Sequence, residues 1–477
     1  MSAQNTRGAT GERTVHATAT PSSITAERGP AGASTFLRSG QRMALSGWGR
    51  LPIVPGAEVL SEDLTRVSQD LPFARGLGRA YGDAALPATG DYYVAGTTLA
   101  DRILAFDAQT GVLSAEAGLS LDQICELFLP RGYFTPVSPG TRFVTLGGMV
   151  ACDVHGKNAH RDGTFGRHVL SLKMRVADGS IVTCSQTLNE DLYAATIGGM
   201  GLTGAILEVT VRLVRVPSPW ILEERECVCD LDELLDSLKL AAATWPMTVA
   251  WLDCLVPGHA TGRGVVLRGR WAEPDEVTHI ASPPRRWFVP FEMPPFVLNR
   301  NVMRAFNALS YRRQVWQAPQ AVVHPYTHLY PLDAITHWPR LYGRHGFIQY
   351  QCVLPEPHAR DATHRFIRLL QLRDAAPFLA VIKDCGLEGP GMLSFPRPGI
   401  SIAVDMPMRS TTQALVDALN EFVIAEGGRI YLAKDALTRA EHFRAMEPRV
   451  EAFLAIRRRW DPSGRIRSAQ SIRLFGW

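Results

Sequence analysis

At 477 residues the chain is too long for one simple domain, and two or three are expected. Apolar residues make up 46% and charged residues 20%, the balance of a soluble globular protein, and a net charge of +4 argues against a dedicated nucleic-acid binder while permitting weak attraction to anionic surfaces or substrates. No run of about 18 apolar residues offers a membrane span, and the eight cysteines contain no C-x-x-C pair, so they read as reduced and mostly buried.

In chain order, residues 1–40 are rich in Thr, Ala, Ser and Gly and lack the apolar core of a secretory signal. This predicts a disordered tail on a protein that is cytoplasmic or at most peripheral to a membrane. The folded part is expected to begin near Leu45. A glycine-rich loop with two arginines, Leu71 to Ala85, comes next. Tyr93 to Ala95, Arg102 to Phe106 and Val112 to Ala117 read as strands, and Ser120 N-caps a helical run to Leu129. The stretch Pro139 to Asn158 is too rich in glycine for an ordinary helix or strand. Its Gly140, Gly147, Gly148 and Gly156 predict positive φ and close approach of a large group, and such loops form concave anion sites. Asp153, His155, Lys157 and Asn158 follow its last apolar turn, as in a loop that wraps a phosphate-bearing cofactor and hands side chains to chemistry.

Val169 to Val176 and Ile181 to Cys184 alternate like a hairpin turned at Asp178-Gly179. A short helix, Leu188 to Ile197, leads through the loop Gly198 to Gly204 into the strand Ala205 to Val216. One strand-rich α/β unit therefore fills residues 45–216. From Pro217 the texture changes. Helices are predicted at Leu231 to Ala243, His364 to Leu372 and Thr412 to Ala425, and strands at Val249 to Cys254, Phe347 to Leu354, Ala380 to Lys383 and Ser401 to Asp405. Ala281 to Pro295, rich in Pro and aromatics, reads as an irregular, mobile loop. The order suggests an α+β second domain, 217–427, on an antiparallel sheet, with 428–477 returning to the first.

Gly199-Met-Gly-Leu-Thr-Gly204 matches the dinucleotide pattern G-x-G-x-x-G, but a helix precedes it and a strand follows, the reverse of what that motif needs. Arg75 and Arg79 flank Gly76-Leu-Gly78 and are placed to neutralise a pyrophosphate. Three glycine loops without a Walker lysine motif favour a large diphosphate cofactor. His324-Pro-Tyr-Thr-His328 has two histidines four apart, but Pro325 disfavours a continuous helix and no third ligand is evident, so no metal site is expected. Ser394 sits in no nucleophile elbow, which excludes a serine hydrolase.

Taken together, Arg75-Gly-Leu-Gly-Arg-Ala-Tyr-Gly-Asp83, Pro139-Gly-Thr, Gly147-Gly148, His155-Gly-Lys-Asn158 and Gly201-Leu-Thr-Gly204 resemble the FAD-binding domain of the vanillyl-alcohol-oxidase superfamily. Within it the chain is most similar to the decaprenylphosphoryl-β-D-ribose oxidases, with further matches at Gly346 to Gln351, Leu393 to Pro396 and Tyr431 to Asp435. The resemblance implies an α+β, two-domain FAD-binding fold with a substrate domain on an antiparallel sheet inserted between 45–216 and 428–477. It implies FAD contacts at Arg75, Gly76, Leu77, Gly78, Arg79, Ala80, Tyr81, Gly82, Asp83, Gly140, Thr145, Leu146, Gly147, Gly148, Cys152, Asp153, Val154, His155, Ile206 and Tyr431. It implies Lys157, Gln349, Gln351, Lys383 and Lys434 on the substrate side, with Lys434, His155 and Tyr81 catalytic.

The implied reaction is oxidation of a ring hydroxyl of a lipid-linked pentose to a ketone by hydride transfer to flavin N5, in cell-envelope polysaccharide biosynthesis. An NAD-dependent reductase would complete the epimerisation. A fixed ammonium at Lys434 would stabilise the negative charge that a hydride brings to the N1 end of the flavin. The chain also departs from the pattern. Relatives that attach FAD covalently carry a histidine where Arg79 stands, so non-covalent FAD is expected. A cysteine and an asparagine of some relatives fall on Ala403 and Ser401, which leaves open an alditol- or aldonolactone-type oxidase on free polyols, or a redox-silent carbohydrate-binding relative.

Overall fold

A computed structural model describes residues 44–375 and 377–476; the tail 1–40 lies outside the described residues. The fold is α+β. Three short strands, Ala57–Leu60, Tyr93–Gly96 and Ala74–Arg75, pair in parallel with Tyr93–Gly96 in the middle. The edge strand Ala74–Arg75 delivers the first glycine loop. Beside it stands an antiparallel sheet in the order Ile181–Ser185, Val169–Arg175, Ala205–Arg212, Val112–Glu116, Ile103–Asp107. Its central strand buries Leu207, Val209 and Val211 and turns Glu208, Thr210 and Arg212 outward, the alternation of a half-buried strand. The expected hairpin at Gly179 forms, with that glycine at φ +91. Ser120 and Gln123 close a capping box on the helix Leu121–Phe128.

The glycine-rich stretch differs from expectation. Leu146–Ala151 is helical, with Thr145 as N-cap accepting from Gly148 N at 3.2 Å and with Leu146, Met149 and Val150 buried. Apolar side chains on one face outweigh the two glycines beside them. Gly140, Gly147, Gly148 and Gly156 do not have positive φ. Gly147 and Gly156 serve close approach instead: a Cβ on Gly147 would lie 3.0 Å from Ala117 and one on Gly156 would strike Ser138 O at 2.6 Å, while one on Gly76 would strike Thr145 Oγ1 at 2.4 Å, so the first two glycine loops pack directly on each other. The third loop joins the helix Glu190–Thr196 to the strand Ala205–Arg212, the order that excludes a Rossmann turn.

The second large sheet has eight strands, antiparallel at every pairing: Gln320–Val323, Ile221–Val228, Gly264–Trp271, Met247–Leu252, Leu379–Cys385, Gly399–Pro407, Phe347–Pro355 and Arg429–Ile430. Helices Leu231–Thr244, Ala359–Leu372 and Thr412–Ala425 pack on it. Four of its strands, Gln320–Val323, Ile221–Val228, Gly264–Trp271 and Arg429–Ile430, were not expected from the sequence. Ile221–Val228 carries Glu223, Glu224, Arg225 and Glu226, whose charges are matched by Arg225–Glu223 and by Arg268 on the neighbouring strand. Trp287–Phe288, in the segment expected to be an irregular loop, forms a two-residue parallel pairing with Ile335–Thr336. His324 N-caps a short helix, Pro325–Leu329, because proline is tolerated at the first helical position.

The chain leaves this sheet after Ile430, two residues beyond the expected boundary at 428, because Arg429 and Ile430 still pair with Val353 and Cys352. It then runs back beneath the first unit: Tyr81 N donates to Ala433 O at 2.9 Å, and the helix Val450–Trp460 packs on Glu190–Thr196.

Candidate active site

The first loop is stapled from within. Arg75, expected to neutralise a pyrophosphate, is buried and donates to Glu58 at 2.7 Å, Ser46 O at 2.8 Å and Ala85 O at 2.9 Å. A Cβ on Gly78 would strike its guanidinium. The Arg75 side chain therefore holds the loop from within and is not free for a pyrophosphate. Arg79 differs. Its guanidinium lies 4.4 Å above the Trp48 ring and donates to Leu77 O at 2.5 Å, while its Nε is buried without a hydrogen-bond partner among the described residues. Ala80 and Gly82 are locked by backbone contacts: Trp48 N donates to Ala80 O, and a Cβ on Gly82 would strike Asp435 O at 2.1 Å. Asp83 is held by Arg473 at 2.7 Å, so its carboxylate is structural.

In the second loop, the Cys152 carbonyl accepts from Tyr431 Oη at 2.9 Å, and burial pushes the Cys152 thiol up to about 12, which rules it out as a nucleophile. Asp153, at φ +39, accepts from Gly166 N and Ser394 Oγ, and burial lifts its carboxyl to about 6. Leu146, Val154 and Ile206 are core residues, and Val154 is bonded at both backbone groups, its N to Met149 O and its carbonyl to Phe165 N. Gly140 faces open space.

His155 emerges from this loop onto the eight-stranded sheet. Its ring packs on Phe395 and Tyr431 at 5.4 and 5.2 Å. Lys383 Nζ lies 3.1 Å from Nδ1 and the Gln351 carboxamide 3.1 Å from Nε2. Burial first, then the Lys383 and Lys434 ammonium groups, hold its pKa well below the usual value, so the ring is neutral.

The sheet register builds the rest. Gln349 pairs with Asp405, Gln351 with Ala403, and Lys383 with Ser401, so these side chains share one face. Lys434 Nζ sits 3.8 Å over the Tyr81 ring, and Tyr81 is itself buried edge-on against Phe347. Lys157 donates to His328 O. Lys157, Lys383 and Lys434 keep partial solvent access while surrounded by protein, the position of side chains that line a cleft. Burial lowers all three, Lys157 and Lys383 to about 8. Asp405 was not foreseen. It is fully buried, accepts from Gln349 Nε2 and, at 3.3 Å, from Tyr342 Oη, and burial raises its carboxyl while Lys434 opposes the rise. An acid three residues from apolar Ile402, in step with Ser401 and Ala403 on an otherwise apolar strand, was the available signal.

His324 Nδ1 accepts from Tyr326 N at 3.1 Å. His328 is buried against Glu223 at 2.8 Å, and no cluster of metal-ligating side chains occurs among the described residues.

Residues 69–185 match the family model described as "FAD binding domain". Over 450 residues, 90% of this chain and 97% of the relative, the sequence is 34% identical to decaprenylphosphoryl-beta-D-ribose oxidase of Mycolicibacterium smegmatis. The chain belongs to the FAD-binding oxidoreductase family of that oxidase. It is also 32% identical to an uncharacterized protein in the mprA 5' region of Streptomyces coelicolor, over 75% of this chain and 100% of that protein. A D-lactate dehydrogenase of Archaeoglobus fulgidus is 27% identical over 33% of this chain and 39% of its own length.

This FAD-dependent oxidoreductase has residues that fit the cofactor. Among the described residues the Arg79 Nε has no hydrogen-bond partner, as a donor reserved for an anion would. The glycine loops around Gly76 and Gly147 present backbone where a side chain has no room. Loop residues 75–83 contain no histidine for a covalent link. Among the described residues no helix is long and apolar enough to cross a membrane.

Proposed function

We propose that the protein oxidises a secondary hydroxyl of a polyprenylphosphoryl pentose to a ketone, the 2'-oxidation of a ribose-to-arabinose epimerisation. One observation carries the reading: three partly desolvated lysines, Lys157, Lys383 and Lys434, converge with His155, Gln349, Gln351 and Asp405 where the second glycine loop meets the eight-stranded sheet. Such a cleft suits an anionic sugar phosphate. In this reading the eight-stranded unit is the substrate domain, inserted between 45–216 and the C-terminal return. The residues that would hold FAD are the backbone of Gly76 to Gly82, Arg79, Gly140, Thr145 to Gly148, the Cys152 to His155 turn, Ile206 and Tyr431.

When bound, FAD supplies the hydride acceptor. Lys434, pulled down from the ordinary lysine range by burial, takes the hydroxyl proton as the C–H hydride leaves. The substrate loses one hydride, to bound FAD, and one proton, which Lys434 would hold as an ammonium. Asp405 opposes the lowering by burial and so favours the Lys434 ammonium once the proton has arrived. Gln349 is bonded to Asp405 and fixes it; Gln351 and Lys383 fix the His155 ring; Tyr81 walls the cleft under Lys434. Lys157 and Lys383 are assigned the phosphate end. The resulting keto sugar is the substrate class of an NAD-dependent reductase partner.

The small side chains Ser401 and Ala403 on the site face favour a second reading, an alditol- or aldonolactone-type oxidase on free polyols. Mass analysis of the product after incubation with polyprenylphosphoryl ribose separates the two: loss of two hydrogens from the lipid-linked sugar supports the first, and an unchanged lipid-linked sugar beside an oxidised polyol replaces it with the second.

A further inference from the structure

Helix Arg300–Val315 turns an apolar stripe to solvent. Val302, Phe306, Leu309 and Trp316 follow helical spacing along one side, with Leu309 69% and Trp316 89% exposed, while Met303 and Asn307 are buried beneath. Immediately before it, Trp287, Phe288 and Phe291 are exposed as well. Residues 281–316 hold six arginines and one glutamate, and that glutamate, Glu292, is bound to Arg50 at 2.8 Å. Among the described residues Arg286, Arg304, Arg312 and Arg313 have no ion-pair partner. Exposed aromatics interleaved with unpaired arginines, almost without acids, are the composition of a helix lying in the surface of an anionic bilayer. A neutral surface would leave the arginines unexplained.

The face is tied to the cleft. Phe306 stacks on Phe378 at 5.4 Å, Phe378 meets Tyr342 at 5.7 Å, and Tyr342 stacks on Phe347 at 4.1 Å and donates to Asp405. Leu298 and Met303 share one apolar cluster with Tyr81. The geometry points to an anionic lipid bilayer as the occupant of this face, docked so that a membrane-anchored sugar reaches the lysine-lined cleft without leaving the lipid. The purpose of the docking rests on the lipid-linked reading of the substrate; its test does not.

The FAD-loaded protein is floated with vesicles of phosphatidylcholine alone and of phosphatidylcholine with one-third phosphatidylglycerol, at low and high salt. Binding to the anionic vesicles at low salt, weakened by salt, is expected. The triple variant Arg304→Gln/Arg312→Gln/Arg313→Gln should lower the partition coefficient about a hundredfold, near the effect of three surface charges. Leu309→Ser/Trp316→Ser should lower it at either salt. Flavin absorbance and melting temperature, unchanged in both, show that the fold is intact. No preference for anionic vesicles, or equal binding by wild type and both variants, overturns the inference. A wild-type dimer in sedimentation velocity that is lost in Leu309→Ser/Trp316→Ser, without vesicle binding, overturns it in favour of a second copy of the chain. Because vesicle binding requires no turnover, its failure leaves the substrate reading standing, and the reverse holds too.

Discussion

At the scale of single residues the account turns on Lys434. Its neighbours set opposing demands: burial and Lys383 favour the neutral amine, and Asp405 favours the ammonium. A base held below the free lysine value of about 10.4 is available near neutral pH. The rate of flavin reduction should therefore rise with pH through the neutral range and level off well below 10. A flat profile would remove proton transfer from Lys434. Lys434→Ala should lower the reduction rate by roughly 10²–10³, the loss of one preorganised partner, while the protein stays yellow. Acid precipitation should leave the yellow colour in the supernatant, since Arg79 stands where covalent relatives have histidine; a yellow pellet would contradict non-covalent binding. Lys434 was legible in the sequence because it closes a recognisable run, Tyr431 to Asp435. The engagement of Arg75 was not, since its partner Glu58 lies 17 residues upstream and a glycine loop looks the same whether its arginine faces in or out. Asp405 was hidden for a related reason: only the strand register brings it level with Gln349.

At the scale of elements, two joints hold the cofactor loops. One is the contact of Gly76 with Thr145; the other is Arg473 on the C-terminal helix Ala469–Phe475, which reaches both Asp83 at 2.7 Å and Asp435 at 2.9 Å. Arg473→Ala leaves two buried carboxylates without a cation, a loss of about 3–5 kcal/mol in comparable sites. Thermal unfolding should show the drop, with FAD loosened at the same time; an unchanged melting temperature would mean that Arg473 is not a joint. Gly140→Ala is the contrast. A Cβ there meets nothing in the protein, so stability without FAD should be unchanged, and a fall in FAD affinity measures the approach of the cofactor. Equal FAD affinity would take Gly140 out of the site. Elements with clean alternation or a capping residue, such as Ala205–Arg212 and Leu121–Phe128, were readable locally. The helix Leu146–Ala151 was not, because two glycines masked a single buried face, and Ile221–Val228 was not, because cross-strand partners neutralise its charges.

At the scale of the whole molecule, a glycine-loop unit and an eight-stranded unit meet along one seam, and the chain crosses it again at residues 431–435 to bring Lys434 under the sheet. The second unit was the harder one to read because its strands are joined by long connections, and their order follows from pairings such as Ile221 with Val323 and Ala250 with Ile382. The central claim is that this seam oxidises a lipid-linked pentose. Anaerobic stopped-flow absorbance of the FAD-loaded protein mixed with polyprenylphosphoryl ribose, and in parallel with free polyols, tests it most directly. The account predicts rapid loss of the oxidised-flavin absorbance with the lipid-linked sugar, no loss with polyols, and a trace slowed at least a hundredfold in Lys434→Ala. Bleaching by free polyols alone, or bleaching by the lipid-linked sugar at the wild-type rate in Lys434→Ala, would contradict it.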